Sequence, residues 1–143
     1  MADKLIRVGR VSRVNYEKGM IAVTYPDLDD AVSAELSVLT CGDEYKMPKV
    51  GDNVAVAHLS SDQSRGVVLG TYWNKQHNSK TTGKGKFRKE YGENQGDAYV
   101  EYDSDSKTLS IKASKIAITI DTMDIAGAVN ITGSLTVNGV PVP

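Results

Sequence analysis

The stretch Thr122–Gly139 reads TMDIAGAVNITGSLTVNG and divides into the hexads TMDIAG, AVNITG and SLTVNG. Each hexad carries apolar residues at its second and fourth places: Met123 and Ile125, Val129 and Ile131, Leu135 and Val137. Each ends in glycine, at Gly127, Gly133 and Gly139. Residues two apart point to the same face of a strand, so every hexad offers an apolar pair on one side. The other side carries Thr122, Asp124, Asn130, Thr132, Thr136 and Asn138, which suit water. Glycine at every sixth place permits a sharp turn between strands. The repeat therefore predicts short strands stacked around an apolar axis, a β-helix or β-prism. One chain alone would complete about one coil, and one coil buries its residues on nothing.

The economical resolution is an intertwined homotrimer, with three copies wound round a common axis so that every strand edge meets a neighbour. Upstream, KIAITID alternates at Ile116, Ile118 and Ile120, and KTLSIKAS supplies Leu109 and Ile111. The expected trimer core is thus Leu109, Ile111, Ile116, Ile118, Ile120, Met123, Ile125, Val129, Ile131, Leu135 and Val137, with hexad turns at Gly127, Gly133 and Gly139. Burying each such side chain contributes roughly 1.5–3 kcal/mol, ample to hold three chains together. The competing arrangement, a small sheet packed on the rest of the chain, leaves the glycine period without a purpose.

The remainder of the 143 residues divides at residues 75 and 96. Residues 1–75 read as five short strands: LIRVGRVSRVN, GMIAVTYPD, AVSAELSVL, DNVAVAHL and RGVVLGTYW. Turn signals separate them at Glu17–Gly19, Pro26–Asp27, Pro48–Asp52 and Asp62–Gly66. With no helical period between them, these strands predict a small closed or partly open barrel, bent at Gly9 and Gly70. In DNVAVAHL the alternation places Val54, Val56 and His58 on one face, expected to be the interior. Residues 76–96 lack apolar periodicity and hold 5 basic against 2 acidic residues, so they read as a basic linker. Residues 97–143 are strand-like throughout, with a hairpin turn at Asp103–Ser106. The chain is all-β.

Composition excludes several classes. Net charge is −1, so no global field draws the chain to nucleic acid or to an anionic membrane. Cys41 is the one cysteine, which rules out an intramolecular disulfide framework. The start MADKLIRVGR has no apolar signal-peptide core, and no run reaches transmembrane length. No catalytic set is evident. Cys41 could act as a nucleophile only with a base brought near it, and the repeats contain no histidine such as a hexapeptide-repeat acyltransferase requires. The acidic groups Asp27, Asp29, Asp30 and Glu101, Asp103, Asp105 read as solvated turns rather than metal sites. No catalytic, cofactor-binding or metal-binding residue is therefore expected, and no cofactor.

Three pieces of residues 1–75 point to a family. They are GRVSRVNYEKGMIAVTYPD, YKMPKVGDNVAVAHL and RGVVLGTYW, carrying G-x-V at Gly9 and Val11, V-x-Y-P-D at Val23–Asp27, P-x-V-G-D-x-V-x-V at Pro48–Val56, and G-V-V-L-G at Gly66–Gly70. In this order they resemble the phage baseplate assembly protein V family, related to the VgrG spike of type VI secretion. DAYVEYDSDSKTLSIKAS also resembles the start of that family's β-helical shaft. The resemblance implies that residues 1–75 form an OB-fold collar, 76–96 a linker, and 97–143 a trimeric β-helical shaft and tip. It implies a central tail spike in the baseplate of a virion or injection particle, assembled in the bacterial cytoplasm. Such a spike would contact baseplate hub and tube proteins and pierce the target cell envelope. One departure stands out. Many such spikes end in His-x-His pairs that hold iron, whereas the histidines here are His58 and His77 and the chain ends in Val-Pro-Val-Pro. The resemblance then implies a tip sealed by apolar packing or capped by a separate tip protein.

A rival reading is an OB-fold nucleic-acid-binding module with a C-terminal trimerisation segment. Tyr16, Tyr25, Tyr45, Tyr72 and Trp73 would stack on bases and Lys84–Lys89 would supply charge. The balanced charge of residues 1–75 disfavours it.

Overall fold

The computed structural model describes residues 5–59 and 64–143. Lys4, where the first expected strand segment begins, and Asp62 and Gln63 of an expected turn lie outside the described residues. The chain separates into two compact units, Met1–Lys84 and Gly85–Pro143. Among the described residues there is no α-helix, and no helix long and apolar enough to cross a membrane.

The first unit is built from β1 (Ile6–Asn15), β2 (Met20–Tyr25), β3 (Ala31–Val32), β4 (Leu36–Val38), β5 (Asn53–His58) and β6 (Gly66–Thr71). A single 3-10 turn, Pro26–Leu28, follows β2. β1 closes the sheet because its two halves pair with different strands. Residues 6–10 pair antiparallel with β5, and residues 10–15 pair antiparallel with β2. The ring runs β1–β2–β4–β6–β5 and back to β1, with β4 and β6 parallel and β3 attached beside β2. This is an OB-like barrel of five strands.

Local irregularities make the ring possible. The β1–β2 register slips between Val11 and Arg13, leaving Ser12 bulged, with its hydroxyl donating to the Ala22 carbonyl at 3.1 Å. The slip lets Val11 and, in part, Val14 both face inward although they stand three apart. A second slip lies between Ala55 and Val56, and Gly70, at φ 132°, stands opposite Ala55. Gly70, expected at a bend, thus stands at a register irregularity. Gly9 does something else: a Cβ there would lie 2.4 Å from Val23 Cγ1 and 2.7 Å from the Thr24 carbonyl oxygen. It allows close approach of β1 to β2 rather than a bend. The expected third strand is split into β3 and β4 at Ser33. There the Ser33 hydroxyl oxygen accepts the Val23 N–H at 3.0 Å and donates to the Ala34 carbonyl at 2.7 Å, so a side chain replaces a rung of the ladder.

Val11, Ile21, Val23, Tyr25, Leu36, Val54, Val56 and Val68 fill the barrel and are essentially inaccessible to solvent. Leu28, Val38 and Met47 close its margins.

The second unit contains a three-stranded antiparallel meander, β7 (Lys86–Glu90), β8 (Tyr99–Asp103) and β9 (Thr108–Lys112), then a short hairpin, β10 (Thr136–Val137) and β11 (Val140–Pro141). β7 lies inside the stretch read from sequence as a linker, and corrects that reading for residues 86–90. The hairpin turns at Asn138 and Gly139, both with positive φ, a two-residue loop of the type that matches strand twist. Pro141 pairs with Thr136 within it. Between Lys112 and Thr136 the chain forms neither strand nor helix. The alternation at Ile116–Ile120 therefore yields no pairing within one chain, because one chain offers no neighbouring strand there.

Candidate functional site

Among its described residues, the first unit holds a buried pair of polar side chains. His58 ends β5 on the inward face, where the alternation of Val54, Val56 and His58 places it. Its Nε2 lies 2.8 Å from the Tyr25 hydroxyl, and the rings meet edge-on at 5.4 Å. The His58 Nδ1 is buried without a hydrogen-bond partner. Burial pushes the Tyr25 phenol up to about 12, with the nearby Arg7 cation opposing and the Asp27 carboxylate adding. This deeply packed phenol–imidazole pair is a structural element of the core.

The residues of the nucleic-acid reading are scattered or engaged. Tyr25 is fully buried and offers no stacking face, which corrects its place in that set. The Tyr45 hydroxyl donates to the Tyr16 carbonyl at 3.1 Å, and Trp73 stacks on His77 at 5.0 Å between ring centroids. Lys86 is paired with Asp103, and Arg88 with Glu101 at 3.0 Å and Glu90 at 2.7 Å. These pairs also place the acidic residues: Asp27 meets Arg7 at 2.8 Å, while Glu101 and Asp103 lie on β8 rather than in a turn. Cys41 is exposed. Among the described residues no three His, Cys, Asp or Glu side chains gather as a metal site.

The second unit presents the larger feature. Every residue from Ser104 to Pro143 is exposed, and the expected core residues Leu109, Ile111, Ile116, Ile118, Ile120, Met123, Ile125, Val129, Ile131, Leu135 and Val137 lie between 41% and 63% exposed. In one chain they form a bare apolar series rather than a core. Gly127 and Gly133 have φ of 143° and 124°, a backbone that side-chain-bearing residues rarely adopt, and a Cβ at either would meet nothing. Their role is conformational. Gly139 serves the β10–β11 turn instead.

The meander adds residues that the sequence did not single out. Cross-strand register aligns Phe87 with Tyr102 and Leu109, and Lys89 with Val100 and Ile111, on one face. The opposite face carries Lys86, Arg88 and Glu90 against Asp103, Glu101 and Tyr99, with the Arg88 guanidinium 3.5 Å from the Tyr99 ring centroid. Hydrogen bonding to Asp103 raises the Lys86 ammonium, and the same contact, with a backbone N–H from Asp105, lowers the Asp103 carboxyl. Around Arg88, desolvation opposes the charge, but the bonds to Glu101 and Glu90 outweigh it and the guanidinium is raised. Phe87 and Tyr91, four apart on one face, are the sequence signal that could have revealed β7, hidden by the charged Arg88, Lys89 and Glu90 between them.

The family model for the Type VI secretion system/phage-baseplate injector OB domain matches residues 7–73. The N-terminal domain belongs to that family. The match spans β1 to β6, so the injector OB domain coincides with the closed barrel. The match ties residues 7–73 to a structural baseplate or injector domain, the kind of domain found in a virion or injection particle. No curated protein matches the chain.

Proposed function

We propose that this chain is the central spike of a contractile tail or injection-system baseplate. In this reading the chain is a homotrimer: residues 1–75 form a collar that meets hub and tube proteins, and residues 97–143 of three chains form one β-helical shaft. The shaft, bare or capped by a separate tip protein, is driven into the target cell envelope after the particle has been assembled in the bacterial cytoplasm. The observation that carries the proposal is the bare apolar series from Leu109 to Val137, beside an injector OB domain. A soluble monomer rarely leaves so long an apolar series uncovered. Hexads with positive-φ glycines at Gly127 and Gly133 supply turns but no intrachain partner, which suits three identical strands around an axis.

The role needs no reacting group. Stiffness along the axis would come from continuous strand pairing around a dry aliphatic core. The test is absolute mass by light scattering on a sizing column. The full chain is expected near three times 15.4 kDa, falling to the monomer when residues 97–143 are removed. A full-length monomer would overturn the spike.

A further inference from the structure

We infer that a small polar cavity on the first unit, between the start of β5 and the turn that follows β6, is a socket for an arginine side chain of a partner protein. The inference concerns the barrel and its flanking turn alone. It does not depend on the trimeric reading, and its failure would leave that reading untouched.

Three observations carry it. First, the cavity has fixed walls. Gly51, Asp52, Asn53, Thr71, Gln76 and His77 line a volume of about 90 Å³. That is the liquid volume of about three waters, which suits a small head group rather than a base or a sugar ring. On one side the Gly51 N–H donates to the Val11 carbonyl at 2.8 Å, and the Val11 N–H donates to the Asp52 carbonyl at 2.9 Å, tying this wall to β1. On the other side Asn74 and His77 exchange backbone hydrogen bonds at 2.9 and 3.1 Å. The Asn74 side-chain oxygen also accepts the N–H groups of Gln76 at 2.8 Å and His77 at 3.0 Å. A site held in shape before its ligand arrives loses little to ordering. Second, the cavity has a charge to be met. The Asp52 carboxylate is half-buried and accepts the Lys49 N–H at 2.9 Å, but among the described residues no cation pairs with it. Arg10, which stands opposite Asn53 in the β1–β5 ladder, makes no ion pair with it either. The Asn53 amide nitrogen donates to the Gln76 side-chain oxygen at 3.4 Å, which leaves the Asn53 side-chain oxygen as a further acceptor. Third, one wall is aromatic and braced. The His77 ring stacks on Trp73 with centroids 5.0 Å apart and planes 14° apart. A guanidinium is planar, carries five donors in a fork and stacks on aromatic rings, so it can meet the carboxylate, the amide oxygen and this wall together. A lysine ammonium is a compact point charge that uses neither the fork nor the stack. The carboxylate also repels a phosphate, which sets the socket apart from a nucleic-acid site.

The test uses the full-length chain and its own reporter, because Trp73 is the one tryptophan and is 60% exposed beside the cavity wall. Titration with Nα-acetylarginine amide is expected to change the tryptophan fluorescence saturably. Nα-acetylcitrulline amide, which has nearly the same shape without the charge, is expected to bind about tenfold or more weakly, and Nα-acetyllysine amide likewise. No saturable change with the arginine probe, or equal binding of either analogue, overturns the inference. Two variants then locate the site. Asp52→Asn keeps an oxygen for the Lys49 N–H, so the urea midpoint of the barrel should hold while affinity for the arginine probe falls about tenfold. Glu17→Gln removes the same charge from the exposed β1–β2 turn and should leave that affinity unchanged. Full affinity in Asp52→Asn, or an equal loss in both variants, overturns the socket.

Discussion

The barrel and the hexad segment use the same side chains in the same alternation, with opposite outcomes. On β5, Val54 and Val56 alternate with small or polar residues and are fully buried. Between Thr122 and Gly139, Val129 and Ile131 alternate with Asn130 and Thr132 and stand in solvent. The difference is closure. The barrel strands are long enough for β1 to pair with two partners and seal a ring. The first two hexads reach their glycines without pairing to any strand, and the third returns only in the short β10–β11 hairpin. Alternation therefore decides which face is apolar, while strand length and connection decide whether the same chain can cover it.

The comparison breaks most sharply at Ile131. Ile131→Asp would set three carboxylates on the shaft axis at an effective cost of several kcal/mol per ion, and light scattering should show loss of the trimer. The barrel should keep its near-ultraviolet circular dichroism; a trimer of unchanged mass would remove the shaft model. Ile21→Ala attacks the other side of the comparison. It opens a cavity in the sealed core, and the urea midpoint of the barrel should drop by the equivalent of about 2–5 kcal/mol with trimer mass unchanged at low denaturant. The smallest effect concerns Tyr25. Its phenol titrates near 10.0 when unfolded and about 12 in the barrel, so the unfolded chain loses its proton first. The contribution is fully present below pH 10 and is lost as the pH rises through about 12. Tyr25→Phe should abolish that alkaline limb in urea titrations, at a cost near neutral pH of about 1–3 kcal/mol for the hydrogen bond left unmade at His58. A retained limb would place its origin in another group.

Much of the barrel was legible because period-two runs bounded by turn residues admit few alternatives. β2, β5 and β6 fall where GMIAVTYPD, DNVAVAHL and RGVVLGTYW place them, and His58 faces inward as its phase requires. What escaped notice depended on partners distant in sequence. The Ser33 hydroxyl divides a strand only because Val23 lies beside it. Gly9 reads as a bend until Val23 is seen where a Cβ would go. Tyr25 looks like a surface aromatic until His58 supplies a buried partner for its hydroxyl. In the second unit β7 was missed because Lys86, Arg88 and Glu90 resemble a linker, and their purpose appears only in register with Asp103, Glu101 and Tyr99. The hexad period was plain, and the turn at Asn138-Gly139 could have been read from that dipeptide alone.

The exposure of every residue from Ser104 to Pro143 has a thermodynamic consequence. The barrel's stability is a property of one molecule and does not change on dilution. A segment that buries nothing alone gains stability only by mass action, so its folded fraction depends on how many copies are present. If the proposed trimer forms, dilution would act on one region of this protein and spare the other. In a cell, the shaft would take form only where synthesis has concentrated its chains.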